Sequence, residues 1–235
     1  MDDFIRLLKE WNIDLSDNQK QQFLKYYDML IEKNKVMNLT AITEFNEVLE
    51  KHFLDSVAVV KATDLTGELS LIDIGTGAGF PGIPLKIVFP KLRVLLLDSL
   101  NKRVNFLNEV IDELGLENIT AIHARAEEAG QDKLYREKFD LCVSRAVANL
   151  STLSELCMPF VKKGGKFISY KSGNADEEIA NAKKAVNLLG GGEVKCVDFV
   201  LPSSEAGRTF VVINKADLTL KKYPRKPGIP AKKPI

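Results

Sequence analysis

The sequence predicts an α/β fold with a mostly parallel sheet that ends in an antiparallel hairpin. Strand-like and helical segments alternate from Leu69 onward, as the crossovers of a parallel sheet require. A glycine-rich turn, LIDIGTGAGFPG (71–82), begins within the first apolar run. Two later runs, EVKCVDFVL (193–201) and TFVVINK (209–215), are joined by a polar loop, which is a hairpin pattern. The candidate parallel strands are residues 69–74, 92–97, 119–123, 139–144 and 166–171.

A helical region precedes the first strand. The pattern SDNQ (16–19) is that of a capping box and predicts a helix start. The apolar residues that recur at helical spacing after it are Phe23, Tyr27, Leu30 and Ile31. A second helix is predicted over roughly residues 44–61, and its apolar face consists of Phe45, Leu49, Phe53 and Val57. We therefore expect one folded unit with a helical cap (1–65), a core (66–217) and a basic, proline-rich tail (218–235).

The glycine-rich turn fits two kinds of adenosine-containing ligand. Gly77, Gly79 and Gly82 satisfy the dinucleotide pattern G-x-G-x-x-G, and Asp98 follows at about the expected distance of 20 residues. Gly75, Gly77 and Gly79 equally satisfy D-x-G-x-G-x-G, the arrangement that holds S-adenosylmethionine. The glycines alone do not separate these two ligands.

The acidic residues around the turn favour the methyl donor. A pyrophosphate at a helix N-terminus needs free backbone N–H groups and no carboxylate nearby. Asp73, two residues before the first glycine, would repel it but suits a ligand that carries an ammonium and a sulfonium. Asp98 can accept hydrogen bonds from ribose hydroxyls. The C-terminal hairpin is also common in methyltransferases of this type, whereas a turn that only packs a helix on the sheet is the structural alternative.

Residues that follow the other strands are further ligand candidates, because ligands bind at the carboxyl ends of parallel strands. Ser99 and Leu100 come directly after Asp98 at the end of the second strand. Ala126 and Glu127 follow the third strand and could flank adenine, or form an ordinary acidic first helical turn. Arg145 follows the fourth strand and could hold a carboxylate or phosphate, or form a surface salt bridge.

Basic residues supply candidates for phosphate contacts. The formal net charge is +1, yet residues 221–235 carry six lysines and arginines and no acid. Four prolines are expected to keep this tail extended and to prevent a helix, which suits either a nucleic-acid clamp or a solubilising terminus. The candidates for RNA contacts are Lys102, Arg103, Lys171, Arg208, Lys221, Lys222, Arg225 and Lys226, with solvated surface as the alternative.

Several classes of protein are disfavoured by composition. Three cysteines without close spacing and two histidines predict neither a disulfide framework nor a metal site. The acidic N-terminus is unlike a signal peptide, and no apolar run is long enough to span a membrane, so we expect a cytoplasmic protein. His52 and Asp55 share a helix face, and we expect a hydrogen-bonded pair at the junction of cap and core or a place at an RNA entrance.

The sequence also bears on which atom would be methylated. Pyrimidine C5 chemistry needs a cysteine nucleophile, but Cys142, Cys157 and Cys196 all fall in runs that predict burial. No general base stands out, so we expect no catalytic side chain beyond positioning and electrostatics. A ring nitrogen with a free lone pair, such as guanine N7, fits that expectation.

The chain closely resembles the RsmG (GidB) family, the small-subunit ribosomal RNA guanine-N7 methyltransferases. The resemblance covers nearly the whole chain in order. The motifs that carry it are NLTAITE (38–44), HFLDS (52–56), DIGTGAGFPGIPLKI (73–87), LLDSLNKRVNFL (96–107), SRAVA (144–148), YKSG (170–173) and YPRKPG (223–228).

This resemblance implies a class I Rossmann-like methyltransferase with a seven-stranded sheet. It implies S-adenosylmethionine as cofactor and methylation of guanine 527 of 16S rRNA, free or in the small ribosomal subunit, by an expected monomer. With the glycine turn, it gives the cofactor-binding positions Gly75, Gly77, Phe80, Asp98, Ser99, Leu100, Ala126, Glu127 and Arg145. A dinucleotide oxidoreductase and a non-catalytic RNA-binding assembly factor are the two alternatives.

Overall fold

The computed structural model describes residues 1–145 and 148–235. Ala146 and Val147, within the SRAVA motif, lie outside the described residues. The strands of the described ranges are β1 (Ser70–Ile74), β2 (Arg93–Asp98), β3 (Ile119–His123), β4 (Phe139–Arg145), β5 (Val161–Ser172), β6 (Gly191–Val200) and β7 (Gly207–Lys215).

These strands form one sheet in the order β3-β2-β1-β4-β5-β7-β6. The first five strands pair in parallel, and β7 runs antiparallel between β5 and β6. The predicted mostly parallel sheet and its C-terminal hairpin are therefore confirmed. The strand order reverses between β1 and β4, because β2 and β3 lie on one side of β1 whereas β4 and β5 lie on the other. The carboxyl ends of β1 and β4 are therefore the expected ligand crevice.

The helices cover both faces of the sheet. They are α1 (Asp2–Glu10), α2 (Asp17–Met37), α3 (Phe45–Val48), α4 (Asp55–Val57), α5 (Gly82–Val88), α6 (Asn101–Glu113), α7 (Ala126–Ala129), α8 (Leu150–Cys157), α9 (Asp176–Leu188) and α10 (Ile229–Lys232). Helices α1, α2, α5 and α6 contribute to one apolar cluster. Helices α8 and α9 and Tyr223 of the C-terminal segment contribute to the other.

The start of α2 is the predicted capping box. The Ser16 hydroxyl accepts a hydrogen bond from the Gln19 backbone N–H, and the Gln19 side chain accepts one from the Ser16 N–H. The predicted apolar face is confirmed at Phe23 and Leu30, which are buried, and wrong at Tyr27 and Ile31, which are only half-buried. Tyr26, which was not predicted, is fully buried. Phe23, Tyr26 and Leu30 follow the three- and four-residue spacing of a helix face, so Tyr26 points at the core.

The second predicted helix is irregular. Residues Leu49–Leu54 form a π-helical turn between α3 and α4, and Ala58–Lys61 form a 3-10 turn after them. Such π-helical turns frequently occur at functional sites. His52 and Asp55, within and just after this turn, are both buried.

The C-terminal segment is folded onto the core, which corrects the expectation of an extended tail. The Arg136 guanidinium donates hydrogen bonds to the carbonyl groups of Gly130 and of three residues between 219 and 223. Residues 229–232 form α10 with Pro230 in its first turn, where a missing N–H breaks no helical hydrogen bond. The prolines therefore shape this segment without preventing a helix.

Three further observations concern expectations from composition. No helix of the described ranges is long and apolar enough to cross a membrane. Within the same ranges, no three His, Cys, Asp or Glu side chains lie where they could hold a metal ion. Cys142 and Cys157 are buried, but Cys196 is exposed on the edge strand β6, so its expected burial is wrong.

Candidate cofactor and substrate site

The glycine-rich turn lies between β1 and α5 at the carboxyl end of the sheet. Gly75, Gly77 and Gly79 have φ angles of 71°, 63° and 107°, which side chains with a Cβ rarely adopt. A Cβ at Gly79 would lie 2.6 Å from the Tyr26 hydroxyl oxygen, whereas no described atom lies within 4 Å of a Cβ at Gly77. The turn is thus closely packed at Gly79 and open at Gly77, where a ligand can approach the backbone.

Asp73 is fully buried beneath the turn. Its Oδ2 accepts hydrogen bonds from the Thr76 hydroxyl at 2.7 Å and from the Gly82 N–H at 2.9 Å. Gly82 is the first residue of α5, so a carboxylate already occupies an N–H that a pyrophosphate would need. Burial raises the Asp73 pKa to about 6, and its Oδ1 has no hydrogen-bond partner among the described residues. These contacts fit a cationic ligand better than a dinucleotide.

Asp98 organises the end of β2. Its Oδ2 accepts a hydrogen bond from the Gly77 N–H at 3.0 Å, and its Oδ1 accepts one from the Leu100 N–H at 2.9 Å. Oδ2 also accepts from Arg103 Nη1 at 3.5 Å, whereas Oδ1 keeps a second lone pair that a ribose hydroxyl can use. Leu100 is 42% exposed beside it, and Ser99 is also exposed. Arg103, a candidate for RNA contact, lies 3.5 Å from Asp98 and partly balances its charge.

Ala126 and Glu127 form the first turn of α7. Ala126 is buried, and Glu127 is partly exposed. The Glu127 Oε1 accepts a hydrogen bond from the Gly228 N–H at 2.9 Å. The predicted adenine-binding position is therefore tied to the C-terminal segment, a contact across 101 residues that no local pattern predicts.

Arg145 joins the glycine turn to the π-helical turn. Its guanidinium carbon lies 5.0 Å from the centre of the Phe80 ring, on which the His52 ring also stacks at 4.6 Å. Arg145 donates hydrogen bonds to Asp55 Oδ2 at 3.0 Å and to His52 Nδ1 at 3.3 Å. Asp55 Oδ1 accepts from Arg208 Nε at 2.9 Å. Arg145 thus bridges His52 and Asp55, so the direct hydrogen bond expected between these two residues is wrong. The ion pair of Arg145 with Asp55 is largely buried, so the alternative of a surface salt bridge is also wrong.

His52 is held in its neutral form. Burial, and then the charge of Arg145, lower the His52 pKa to about 3. Because Nδ1 accepts from Arg145, the network assigns the ring proton to Nε2, which donates to the Thr40 hydroxyl at 2.8 Å. Both ring nitrogens are occupied, so His52 is poorly suited to act as a general base.

A cavity of about 480 Å³ adjoins this cluster. It lies between the π-helical turn, the ends of β4 and β5, and the starts of β7 and α9. The residues that line it are Lys51, His52, Asp55, Arg145, Tyr170, Lys171, Ser172, Asn174, Glu178 and Arg208. Its walls carry charges of both signs.

The candidates for RNA contact fall into separate groups. Lys171 and Arg208 line the cavity, whereas the exposed members are Lys102, Lys221, Lys222 and Lys226. Arg225 instead forms a bidentate ion pair with Glu155, a fully buried carboxylate on α8. Its predicted role as a phosphate contact does not fit this position, because its guanidinium neutralises a buried charge.

Comparison with known proteins decides the family. The family model "rRNA small subunit methyltransferase G" matches residues 19–205. The chain is 54% identical over 232 residues to "Ribosomal RNA small subunit methyltransferase G" of Lachnoclostridium phytofermentans, covering 99% of this chain and 96% of that one. The chain belongs to the rRNA small subunit methyltransferase G family. A second member, from Lactococcus lactis subsp. cremoris, is 51% identical over 235 residues, covering 100% of this chain and 98% of that one.

Solved structures of methyltransferases share the fold. An S-adenosylmethionine-dependent methyltransferase from Aquifex aeolicus aligns with a TM-score of 0.52 at 20% identity, covering 78% of this chain and 98% of that chain. A precorrin-6y C5,15-methyltransferase from Geobacter metallireducens aligns with a TM-score of 0.51 at 16% identity, covering 69% of this chain and 88% of that chain. The resemblance to RsmG and the predicted class I methyltransferase fold are therefore confirmed.

Sequence reasoning missed several residues of the site, among them Tyr26, Thr40 and Glu178. Tyr26 donates a hydrogen bond to the Ala78 carbonyl at 2.6 Å and supports the glycine turn from α2. Thr40 orients His52, and Glu178 pairs with Lys171. Thr40 lies in the NLTAITE motif and so could have been suspected, whereas Glu178 had no signal beyond its place in an acidic first turn of α9.

Proposed function

We propose that the chain transfers a methyl group from S-adenosylmethionine to N7 of guanine 527 in 16S ribosomal RNA. Membership of the rRNA small subunit methyltransferase G family over nearly the full chain carries this proposal. The glycine turn supports it independently, because Asp73 occupies the N–H that a dinucleotide would need.

The described residues fit S-adenosylmethionine. When bound, it supplies a methyl group on a positively charged sulfur. The open Gly77 backbone, the Asp98 carboxylate and the apolar Leu100 surface offer contacts for a ribose and its base. We propose the full set of binding residues as Gly75, Gly77, Phe80, Asp98, Ser99, Leu100, Ala126, Glu127 and Arg145.

Methylation at guanine N7 requires little acid–base catalysis by the protein. N7 carries a free lone pair, so no side chain has to remove a proton before it reacts. The low pKa of His52 accords with a site that works by positioning and electrostatics. The Arg145–Asp55–Arg208 cluster is rigidly hydrogen-bonded and can hold a nucleotide in place beside the glycine turn.

The substrate is 16S ribosomal RNA, either free or in the small subunit. We propose that the chain acts as a monomer without a bound metal, in the cytoplasm where ribosomal RNA is found. The decisive experiment offers tritiated S-adenosylmethionine with 16S rRNA and small subunits from cells that lack this protein. We expect labelled 7-methylguanosine at position 527, and label in another nucleoside, or none, would refute the proposal. A thermal-shift assay with NAD as well as S-adenosylmethionine tests the oxidoreductase alternative.

The exposed lysines of the C-terminal segment are proposed to contact phosphates. Replacing Lys221 and Lys222 together by alanine should weaken rRNA binding and flatten its salt dependence by about 0.7 log units per lost contact. Filter binding at several salt concentrations measures this slope. The matched control replaces Lys91 and Arg93, which are exposed at the opposite end of the sheet. Equal slopes for both double variants would show that Lys221 and Lys222 do not touch RNA.

A further inference from the structure

The cavity beside Arg145 lies next to the glycine turn. Arg145 and His52 line the cavity on one side and cover the Phe80 ring on the other. The cavity also lies at the carboxyl ends of β4 and β5, and β4 is the parallel neighbour of β1, after which the glycine turn begins. A molecule in the cavity would therefore lie beside a ligand held by the glycine turn, with Arg145 and His52 at the boundary between the two.

One pair of side chains in the cavity has a distinctive hydrogen-bonding pattern. Lys171 Nζ lies 2.7 Å from Glu178 Oε1, which also accepts a hydrogen bond from the Leu150 N–H. Among the described residues, both of these hydrogen bonds are accepted by Oε1, which leaves Oε2 available to a ligand. The Glu178 side chain is 29% exposed. The pair thus presents an ammonium donor beside a carboxylate oxygen that can accept.

We propose that the cavity receives the target guanine and that Lys171 and Glu178 recognise its Watson–Crick edge. This inference rests on the proposed function. Guanine presents the O6 acceptor beside the N1–H and N2–H donors, which matches an ammonium beside a carboxylate. Adenine presents a donor at N6 beside an acceptor at N1, which opposes the same pair. Bases that undergo chemistry are commonly extruded into such a pocket and identified along this edge.

The other charged groups of the cavity are better placed to contact the phosphate of the nucleotide than its base. Both oxygens of Asp55 already accept hydrogen bonds from arginines, so Asp55 is less available to a base. Arg208 and Lys51 add positive charge around the cavity and can attract the phosphate of an extruded nucleotide. Guanine N7 lies next to O6 on the neighbouring edge, which leaves it free to face Arg145 and the glycine turn.

The substitution Glu178→Gln tests this recognition. The glutamine oxygen can keep the hydrogen bonds from Leu150 and Lys171, and its NH₂ group then faces the ligand and cannot accept from guanine. We expect kcat/KM for 16S rRNA to fall about tenfold, the lower part of the range for a lost pair of base contacts. We also expect affinity for S-adenosylmethionine and Tm to stay close to those of the unmodified protein.

A substrate analogue separates recognition from a structural effect. Inosine at position 527, introduced by ligation of the RNA, lacks the N2 amino group that Glu178 would bind. The unmodified protein should prefer guanosine to inosine about tenfold, and Glu178→Gln should lose most of this preference. Glu177→Gln, an exposed neighbour on α9, is the matched control and should keep the preference.

The outcomes distinguish this inference from the function on which it rests. If Glu178→Gln slows both substrates but keeps the full preference for guanosine, Glu178 supports the fold and the inference is wrong. An unmodified protein that does not discriminate against inosine would also overturn it. If the unmodified protein methylates neither substrate, the proposed function itself fails.

Discussion

Replacing Asp98 by alanine is expected to weaken binding of S-adenosylmethionine about 10- to 100-fold. The substitution removes a carboxylate that accepts hydrogen bonds from the Gly77 and Leu100 N–H groups. It also removes the acceptor proposed for the ribose hydroxyls, and hydrogen bonds to a charged group contribute about 1.5–3 kcal/mol each. Both effects act on donor binding, since the glycine turn loses its anchor on β2.

Isothermal titration calorimetry with S-adenosylmethionine measures this loss directly. Asp112→Ala is the matched control, because Asp112 is an exposed aspartate on α6, outside the proposed site. We expect rRNA affinity to change little in either variant. Equal donor affinities for Asp98→Ala and the unmodified protein would remove Asp98 from the binding site.

The fold could be predicted well because its signals are local. The strand–turn–helix alternation, the hairpin loop and the capping box each depend on residues close in sequence. The error at Tyr27 has a physical reason: two adjacent tyrosines differ by about 100° around a helix, and only packing against the sheet decides which is buried. The π-helical turn at Leu49–Leu54 had no comparable signal, since it shifts the face of the helix without changing composition.

The partners of charged residues could not be predicted from the sequence. Arg145 was identified as a ligand candidate, but its contacts with His52 and Asp55 span 93 and 90 residues. Asp73 was expected to act on a ligand by charge alone, yet it also holds the Gly82 N–H from beneath the turn. Sequence shows which charges exist, and only the fold shows which of them neutralise one another.

The C-terminal segment shows most clearly that the partners of charged residues cannot be predicted from the sequence. Six basic residues and four prolines predict an extended tail that is either a nucleic-acid clamp or a solubilising terminus. Glu155, the buried acid that Arg225 neutralises, lies 70 residues away in an otherwise uncharged helix. A truncation at residue 221 would remove the lysines and would also leave the Glu155 carboxylate without its partner Arg225. Any loss of RNA binding in such a truncation would therefore have two causes, which is why point substitutions are the sharper test.

Replacing Arg225 by alanine is expected to destabilise the protein by about 3–5 kcal/mol, because it leaves a buried carboxylate without its ion-pair partner. Glu155 is fully buried, and Arg225 reaches it through Nε at 2.8 Å and Nη2 at 2.5 Å. For a chain of this size the corresponding fall in Tm is roughly 10 °C. Urea denaturation measures the free energy of unfolding, and Lys226→Ala, an exposed neighbour, should leave it nearly unchanged.

A double substitution separates the contribution of the ion pair to stability from that of the other contacts of the C-terminal segment. Replacing Arg225 by methionine together with Glu155 by leucine removes both charges and keeps apolar volume, which is often neutral for a buried pair. We expect this double variant to regain most of the stability lost in Arg225→Ala. If it is as unstable as the single variant, the backbone contacts around Arg225, such as its N–H to Glu155, hold the segment instead of the charge pair. If Arg225→Ala is as stable as Lys226→Ala, the carboxylate is solvated in solution and the segment is more loosely attached than its hydrogen bonds indicate.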